Sequence, residues 1–225
     1  MKLKIKNNNP KHLLLNCVYF LFLLVLLHKV IVHLFLTNNI NQYDYGISDF
    51  LINYQGGFVR RGILGEILYF FVNSLNMDII WTIKIICFIF FFICCTFFVK
   101  SFVNKGYSLY ILPLCFFLGA CILNGNLIRK DYMHFCFFIP VIWFCENKNI
   151  HLILKFFAIN FLSIFMILSH EVFAFFALPI LFLLLYSKYK NKGFLTSIVT
   201  SLLYLLPSII AFFSTLYFSG NQEIA

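Results

Sequence analysis

Long apolar runs are the feature that most limits what this chain can fold into. Short polar segments separate seven of them, and an α-helix needs about 20 apolar residues to cross a bilayer. Some of the runs are shorter than this, but their flanks can extend them. The runs therefore predict an all-α polytopic membrane protein with about seven transmembrane helices: Leu13–Leu36, Ile79–Val99, Tyr107–Leu123, Tyr132–Cys145, Leu152–Leu168, Val172–Tyr186 and Phe194–Phe218.

The composition agrees with a membrane protein. The chain is 62% hydrophobic and only 11% charged, whereas a soluble domain is about half apolar and a quarter charged. The first run is too long for the core of a signal peptide, and no small-residue cleavage site follows it. No repeat or linker divides the chain, so residues 1–225 are expected to form a single integral membrane domain. Its last residues look like the start of an outer loop, as in a truncated part of a longer chain.

The cysteines predict neither disulfides nor a zinc site. All eight lie within apolar runs, and none forms a CxxC pair. A free cysteine behaves as a small apolar residue, and paired or metal-binding cysteines are recognised by their spacing. We therefore expect no metal and no cofactor from this residue type.

The placement of lysine and arginine predicts the orientation, because cytoplasmic loops are rich in these residues. With the N-terminus in the cytoplasm and seven crossings, ten cations fall inside and only four outside. The net charge of +9 then reflects cytoplasmic loops rather than nucleic-acid binding. The inside cations are Lys2, Lys4, Lys6, Lys11, Lys100, Lys105, Lys148, Lys188, Lys190 and Lys192, and the outside ones are Arg60, Arg61, Arg129 and Lys130.

Acidic residues gather on the predicted outer face. Carboxylates follow the positive-inside rule only weakly, so the gathering indicates an extracytoplasmic site. The alternative is that short loops simply need charges for their solvation. Seven of the eight acidic residues lie at or near this face: Asp44, Asp49, Glu66, Asp78, Asp131, Glu171 and Glu223.

The first outer loop contains the segment QGGFVRRGILGEI, residues 55–67. Before it, the apolar residues of Gly46–Tyr54 recur at helical spacing, which predicts a short helix in the membrane interface with its apolar side down. Glycines at the turn are free to adopt positive φ. After Arg61 a second strong apolar stripe begins, and we expect this short helix to lie in the interface too.

The two adjacent arginines of this loop predict a phosphate site. Arg60 and Arg61 precede a helix, where backbone N–H groups are free and the dipole is positive. Cations beside an open helix N-terminus attract an anion strongly. The alternatives are an ordinary lipid headgroup, or pairing of the arginines with Asp44, Asp49 or Glu66. The residues expected to support the site are Gln55, Gly56, Gly57 and Glu66.

Two later segments add polar groups on the same side. In LIRKD, Arg129 and Lys130 can contact the same anion and Asp131 can orient one of them, or the two cations can anchor the next helix at the interface. In LSHEVF, His170 and Glu171 interrupt an apolar stretch that is too long for one span. They predict the tip of a helical hairpin, and ionisable groups at this depth are candidates for function.

His170 and Glu171 could handle protons or bind sugar hydroxyls. A metal set that also includes His134 is conceivable, but no HExxH spacing supports it. We therefore predict no metal site and no cofactor; a divalent cation stays open, without support from the spacing of the residues.

Lipid-linked sugar donors match these features, since they carry a phosphate at the membrane surface. An enzyme that uses one needs a cation clamp and a carboxylate that deprotonates the acceptor hydroxyl. An acidic residue soon after the first membrane helix, followed by interfacial helices, resembles the GT-C class of polyprenyl-phosphate-dependent glycosyltransferases. Residues 43–66 are also similar to multipass proteins of bacterial surface-polysaccharide synthesis. The resemblance implies a bacterial inner-membrane glycosyltransferase in which Asp49 or Asp44 is the catalytic carboxylate.

Two other functions are compatible with the sequence. One is a polysaccharide polymerase or a flippase for lipid-linked sugars, although a flippase would favour charges that line the membrane interior. The other is a non-catalytic membrane subunit whose loops dock a protein partner. The sequence predicts a polyprenyl-phosphate sugar as the lipid partner, names no protein partner and leaves the sugar and the acceptor open.

Overall fold

The computed structural model describes residues 10–36, 45–105, 128–147 and 149–218. This part of the chain is 85% helical and contains no strand. Its eight α-helices are numbered here in chain order, and a π-helical segment, Val32–Leu36, continues the first of them. They are α1 (Pro10–Ile31), α2 (Tyr45–Leu51), α3 (Gly62–Leu75), α4 (Ile79–Lys105), α5 (Asp131–Glu146), α6 (Leu152–Ser169), α7 (Val172–Tyr189) and α8 (Phe194–Tyr217).

Four of these helices are long and apolar enough to cross a membrane, namely α4, α6, α7 and α8. Large apolar side chains also cover the outside of the bundle, and Phe161, Leu195 and Phe213 are each more than half exposed. Lipid is the medium in which such a surface is stable. The chain is therefore a multipass membrane protein whose described part is all-helical, as the sequence predicts.

The predicted number of seven spans goes beyond these four helices. The run Tyr107–Leu123 lies outside the described residues. Helix α5, which corresponds to the run Tyr132–Cys145, has 16 residues and is short for a span. In the region of the first run, α1 has 22 residues, and the π-helical segment extends it. The count of seven stays a prediction.

The helices of the bundle alternate in direction from α5 onwards. Helix α5 is parallel to α4, because Phe91 packs on Tyr132 and, further along both helices, Cys94 lies 3.3 Å from Cys136. Short connections reverse the chain after α5 and again after α6. The second reversal is the predicted hairpin tip at His170 and Glu171, and the structure confirms it.

The alternation gives the bundle two chemically different ends. At one end α5 begins, α6 ends and α7 begins; we call it the Glu171 end. At the other end α5 ends, α6 begins and α7 ends; we call it the Lys188 end. The ring of Phe218, just after α8, contacts that of Phe58 in the first loop, so α8 ends near this loop.

Buried polar groups join α6 to α8 in the apolar interior. The Nδ2 group of Asn160 donates to the carbonyl oxygen of Tyr204 at 3.0 Å, and Oγ of Ser208 donates to Oδ1 of Asn160 at 2.7 Å. Small buried residues on α8 let the two helices approach closely. These small residues are Ser197, Ser201, Ser208 and Thr215.

The first loop folds onto the bundle rather than onto lipid. Ile47 and Phe50 of α2 are 0% and 1% exposed, so the apolar face that we expected to turn toward the membrane packs on protein. A Cβ atom on Gly46 would overlap the carbonyl oxygen of Ile128, and one on Gly65 would overlap a carbonyl oxygen just after α2. Glycine at these two positions therefore lets α2 lie close to α3 and to the start of α5.

Helix α3 begins where the sequence predicts it, directly after Arg61. Leu64 and Leu68 of its apolar stripe are buried, whereas Ile67 and Phe71 of the same stripe are exposed. An apolar stripe can face lipid as well as protein, so hydrophobicity alone does not identify the packed side in a membrane protein.

Candidate functional site: a buried charge cluster at the Glu171 end

Four charged side chains from four separate segments meet at the Glu171 end. They are Asp49 of α2, Arg61 before α3, Lys130 before α5 and Glu171 between α6 and α7. Their side chains are 11%, 19%, 1% and 9% exposed, respectively. Two cations and two carboxylates give this charge cluster a formal charge of zero. The balance allows it to be buried, since an unpaired charge in an apolar interior is very costly.

Arg61 is the hub of the charge cluster. Its Nε and Nη2 groups donate to the carboxylate of Glu171 at 2.9 and 2.6 Å, and Nη1 donates to Oδ1 of Asp49 at 3.3 Å. The hydrogen bonds with Glu171 are the main cause of a raised pKa for Arg61, and burial opposes them only in part. The guanidinium is thus firmly charged, and its paired contact with Glu171 is the strong bidentate kind.

The backbone of Arg61 is left-handed, with φ 69° and ψ 7°. This conformation costs a residue other than glycine about 1–2 kcal/mol and persists where surrounding contacts enforce it. Here the contacts with Asp49 and Glu171 supply that constraint. Gly62 follows directly, and the ring of Tyr54 occupies the space that a Cβ atom on it would need.

Glu171 is held in its ionised form. Burial raises the pKa of its carboxyl group, but the hydrogen bonds and the positive charge of Arg61 outweigh this effect, and the pKa falls to about 2. The pair therefore remains charged throughout the physiological pH range.

Lys130 uses all of its donors inside the protein. An ammonium group has three N–H donors, and Nζ contacts the carbonyl oxygens of Asp49 and Ser169 at 2.8 and 3.1 Å and Oδ2 of Asp49 at 3.2 Å. It also lies over the ring of Phe50. Burial lowers its pKa, and the attraction of Asp49 opposes that shift. Lys130 has no donor left for an outside phosphate while these contacts persist.

Asp49, which we expected to be the catalytic carboxylate, is bridged on both sides. Oδ1 accepts from Arg61 and Oδ2 contacts Lys130. Its contact with Arg61 is the longest of the ionic contacts in the charge cluster. The other expected carboxylate, Asp44, lies outside the described residues.

Three further polar residues border the charge cluster. Oγ of Ser169 donates to the carbonyl oxygen of Met166 at 2.8 Å, so Nε2 of His134, 3.3 Å away, is left to donate to Oγ. The rings of His134 and His170 are 5.8 Å apart. Burial, together with repulsion from Arg61, lowers the pKa of His170. Neutral imidazoles therefore face this side of the cluster at neutral pH.

The structure separates two cations that we expected to act together. Arg129 forms an ion pair with Asp131 at 2.6 Å, and their side chains are 49% and 33% exposed, whereas Lys130 is buried in the charge cluster. The expected pairing of Asp131 with a neighbouring cation is therefore present, at Arg129. Arg60 is exposed and forms no ion pair with any described residue.

The residues expected to support the site hold the turn before the arginines. Glu66 accepts from the backbone N–H of Tyr54 at 2.9 Å and from Nε2 of Gln55 at 2.6 Å. Gly57 has the positive φ that we expected of a turn glycine, at 109°, and Gly56 is exposed beside it. Glu66 thus stabilises the turn and is paired with Gln55, not with an arginine.

A count of free donors shows where an anion could bind. Arg61 has five N–H donors. Three of them serve Glu171 and Asp49, a further hydrogen bond joins Arg61 to the side chain of Tyr45, and the side chain of Arg61 retains some exposure. Arg60, its neighbour, is exposed. An anion that approaches from outside would therefore meet Arg60 first and then the one remaining N–H donor of Arg61.

Sequence reasoning missed Ser169 and considered His134 only as part of a metal set. Ser169 lies within the motif LSHEVF, directly before His170, and His134 lies one turn after Lys130, so both signals were close to the residues that the sequence singled out. Within the described ranges, no three histidine, cysteine or acidic side chains are grouped as metal ligands.

Comparison of the chain with protein-family models, curated proteins and solved structures finds no match.

Proposed function

We propose that this chain is a membrane glycosyltransferase that uses a polyprenyl-phosphate-linked sugar at the extracytoplasmic face of a bacterial inner membrane, in surface glycan synthesis. The observation that carries the proposal is the charge cluster, four ionisable side chains buried at one end of a bundle with an apolar exterior. Such groups are costly in a membrane protein and mark functional sites more often than not. Three separate turns and α2 converge to build it.

The proposed orientation of the protein in the membrane rests on the difference between the two ends of the bundle. Lys188, Lys190 and Lys192 lie at the Lys188 end, opposite the charge cluster. Lysines favour the cytoplasmic side, which supports an orientation with the charge cluster outside and, in a seven-span chain, the N-terminus inside. The sugar of a lipid-linked donor that has been moved across the membrane is available on that outer side.

The roles of the residues follow from the count of donors. Arg60 and the remaining N–H donor of Arg61 bind the donor phosphate. The phosphate competes with Asp49 for Nη1 of Arg61, and this contact is the longest ionic one at 3.3 Å. When this contact between Arg61 and Asp49 is lost, Oδ1 of Asp49 is free to accept the proton of the acceptor hydroxyl. Lys130 and Glu171 keep Asp49 and Arg61 in position.

A second candidate function also has a specific observation in its favour. Each cation of the charge cluster already has a carboxylate partner, as in a purely structural clamp between the first loop and the bundle. In that case the chain is a non-catalytic membrane subunit, and the clamp shapes a surface for a partner protein. The enzyme and the subunit differ in the expected effect of Asp49→Asn on the pool of lipid-linked sugar.

Mass spectrometry of lipid extracts tests the proposal. A deletion strain is complemented with the wild type, with Asp49→Asn or with Asp78→Asn. Asp78 is the matched control, because its exposed carboxylate accepts from the N–H of Trp81 at the start of α4, a capping role that asparagine fills equally well. We expect a polyprenyl-linked sugar to accumulate on deletion and with Asp49→Asn, and to be cleared by the wild type and by Asp78→Asn.

The amount and thermal stability of the protein are measured in the same strains. A catalytic role of Asp49 is supported if the lipid-linked sugar accumulates with Asp49→Asn while this variant is as abundant and as stable as the wild type. An unchanged lipid-linked pool in every strain contradicts the glycosyltransferase. If Asp49→Asn clears the pool as the wild type does, Asp49 is not the base.

A further inference from the structure

A second polar site lies at the Lys188 end, away from the charge cluster. Three helix ends meet there, and the side chains of Cys145 from α5, Lys155 from α6 and Lys188 from α7 are close enough to interact electrostatically. Lys155 is only 4% exposed. Neither lysine forms an ion pair with a described carboxylate, and exposed Glu146 at the end of α5 is not within pairing distance.

The position of Lys155 in α6 is unfavourable for a cation. It is the fourth residue of the helix, and helical side chains tilt toward the N-terminus, so the ammonium reaches back to the first turn. The dipole is positive there, and backbone N–H groups lack partners within the helix. His151 accepts from only one of them, the N–H of Ile153 at 3.4 Å.

Lys188 adds a second positive charge to the same place. It lies in the last turn of α7, and its ammonium is near enough to that of Lys155 for direct repulsion. Two cations and a helix N-terminus thus converge, one cation is nearly buried, and neither is paired with a described carboxylate. An anion bound between them would remove the repulsion and satisfy the free N–H groups.

The surroundings indicate which anion fits. The first turn of α6 presents large apolar side chains to the lipid, with Leu152, Ile153 and Leu154 between 55% and 59% exposed. A phospholipid could therefore place its acyl chains along this surface and its phosphate at the lysines.

We propose that Lys155, Lys188 and the N-terminus of α6 form a binding site for the phosphate of an anionic phospholipid headgroup. This Lys155 site is separate from the proposed glycosyltransferase site, lies at the opposite end of the bundle and does not depend on the proposed activity. A bound headgroup would stabilise the junction of α5, α6 and α7.

Native mass spectrometry of the purified full chain in detergent tests the proposal, with phosphatidylglycerol and phosphatidylcholine as probes. The variants are Lys155→Met, which keeps the apolar stem, and Lys188→Gln. The matched control is Lys192→Gln, which removes the same charge at the same end, where the ammonium lies over the ring of Tyr189 at 5.1 Å.

We expect the wild type to retain phosphatidylglycerol over phosphatidylcholine. Lys155→Met and Lys188→Gln should each weaken phosphatidylglycerol binding about tenfold, the size expected for a charge-assisted hydrogen bond, and Lys192→Gln should change it less than about twofold. Equal losses in all three variants would indicate general attraction to the basic end and overturn the site. No preference between the two lipids in the wild type would overturn it as well.

Inorganic phosphate distinguishes the two sources of the anion. If millimolar phosphate does not displace phosphatidylglycerol from the wild type, the ligand is the lipid headgroup. If phosphate displaces the lipid from the wild type, and Lys192→Gln is the one variant from which it does not, the site is not built from Lys155. If phosphate displaces the lipid from both and Lys155→Met abolishes phosphate binding, the Lys155 site stands with a free phosphate as its ligand.

Discussion

The ion pair between Arg61 and Glu171 should contribute far more to stability than the ion pair between Arg129 and Asp131. Both are arginine–carboxylate pairs with a shortest N–O distance of 2.6 Å, and the first pair is also bidentate. They differ in exposure, which is 19% and 9% for the side chains of the first pair and 49% and 33% for those of the second.

The difference in exposure sets the expected magnitudes. Removal of one partner of a buried pair costs about 3–5 kcal/mol, and we take the lower end, about 3 kcal/mol, because Arg61 retains some contact with the surface. An exposed pair contributes about 0–1 kcal/mol. For a chain of this size, a loss of 3 kcal/mol lowers Tm by roughly 6–12 °C.

Double-mutant cycles measure the two pairs in the same protein. The first cycle uses Arg61→Gln, Glu171→Gln and the double variant, and the second uses Arg129→Gln, Asp131→Asn and their combination. Unfolding of the detergent-solubilised protein is followed by intrinsic fluorescence. We expect a coupling free energy of about 2–3 kcal/mol for the first pair and below about 1 kcal/mol for the second. Similar coupling in both cycles would refute the argument from burial.

Three further outcomes follow from particular contacts. The folded-state pKa of Glu171 lies below its ordinary value of 4.5, so its stabilisation is fully present above pH about 4.5 and is lost as the pH falls toward 2; acid melting curves should show this loss in the wild type and not in Glu171→Gln. Gly65→Ala should destabilise the fold by about 3 kcal/mol, the upper end for overpacking, because its Cβ meets backbone. Gly57→Ala, where the space around the Cβ is open, should cost about 1–2 kcal/mol through the strain of its positive φ. Chemical denaturation compares the two variants. Asn160→Leu should lower the unfolding free energy by about 0.6–1.7 kcal/mol through loss of its bonds to α8, and an increase in Tm would contradict that role.

The overall class of the fold was accessible from the sequence because apolar run length and polar interruptions act locally. The tip at His170 and Glu171 is an example, since two ionisable residues in a long apolar stretch cannot both remain at membrane depth without cost. The start of α3 after Arg61 was likewise marked by a change in periodicity. These signals depend on the neighbouring residues alone.

The pairing within the candidate site was not accessible in the same way. Arg129 and Lys130 are adjacent and chemically alike, yet one is half exposed and the other is 1% exposed, because only Lys130 faces α2 and the end of α6. The sequence predicted Asp49 as a possible partner of the arginines. It did not predict Glu171, which is 110 residues away from Arg61. Such contacts depend on how the helices pack.

The glycines show the same limit. Gly46 and Gly65 permit close packing of α2, whereas Gly56 and Gly57 are exposed in the turn. The neighbours of Gly46 and Gly65 in the sequence do not identify the backbone on which each of them packs. The apolar stripe of α3 likewise did not show which of its residues pack on protein, since lipid and protein both accept an apolar side chain. In a membrane protein the hydrophobic pattern identifies helices better than it identifies their partners.

The central claim is that the Glu171 end binds a lipid-linked phosphate. The most direct test compares the binding of polyprenyl phosphate and of the uncharged polyprenol to the purified protein in lipid nanodiscs. Radiolabelled ligands are compared on the wild type, on Lys155→Met, which removes the proposed lipid-phosphate site at the opposite end, and on an arginine variant that carries Arg60→Gln and Arg61→Gln in the Lys155→Met background. We expect the wild type and Lys155→Met to bind the phosphate at least about tenfold more tightly than the alcohol, and the arginine variant to lose that preference while it still binds the apolar chain. Equal affinity of the wild type for both ligands, or a preference that survives loss of both arginines, would contradict the account.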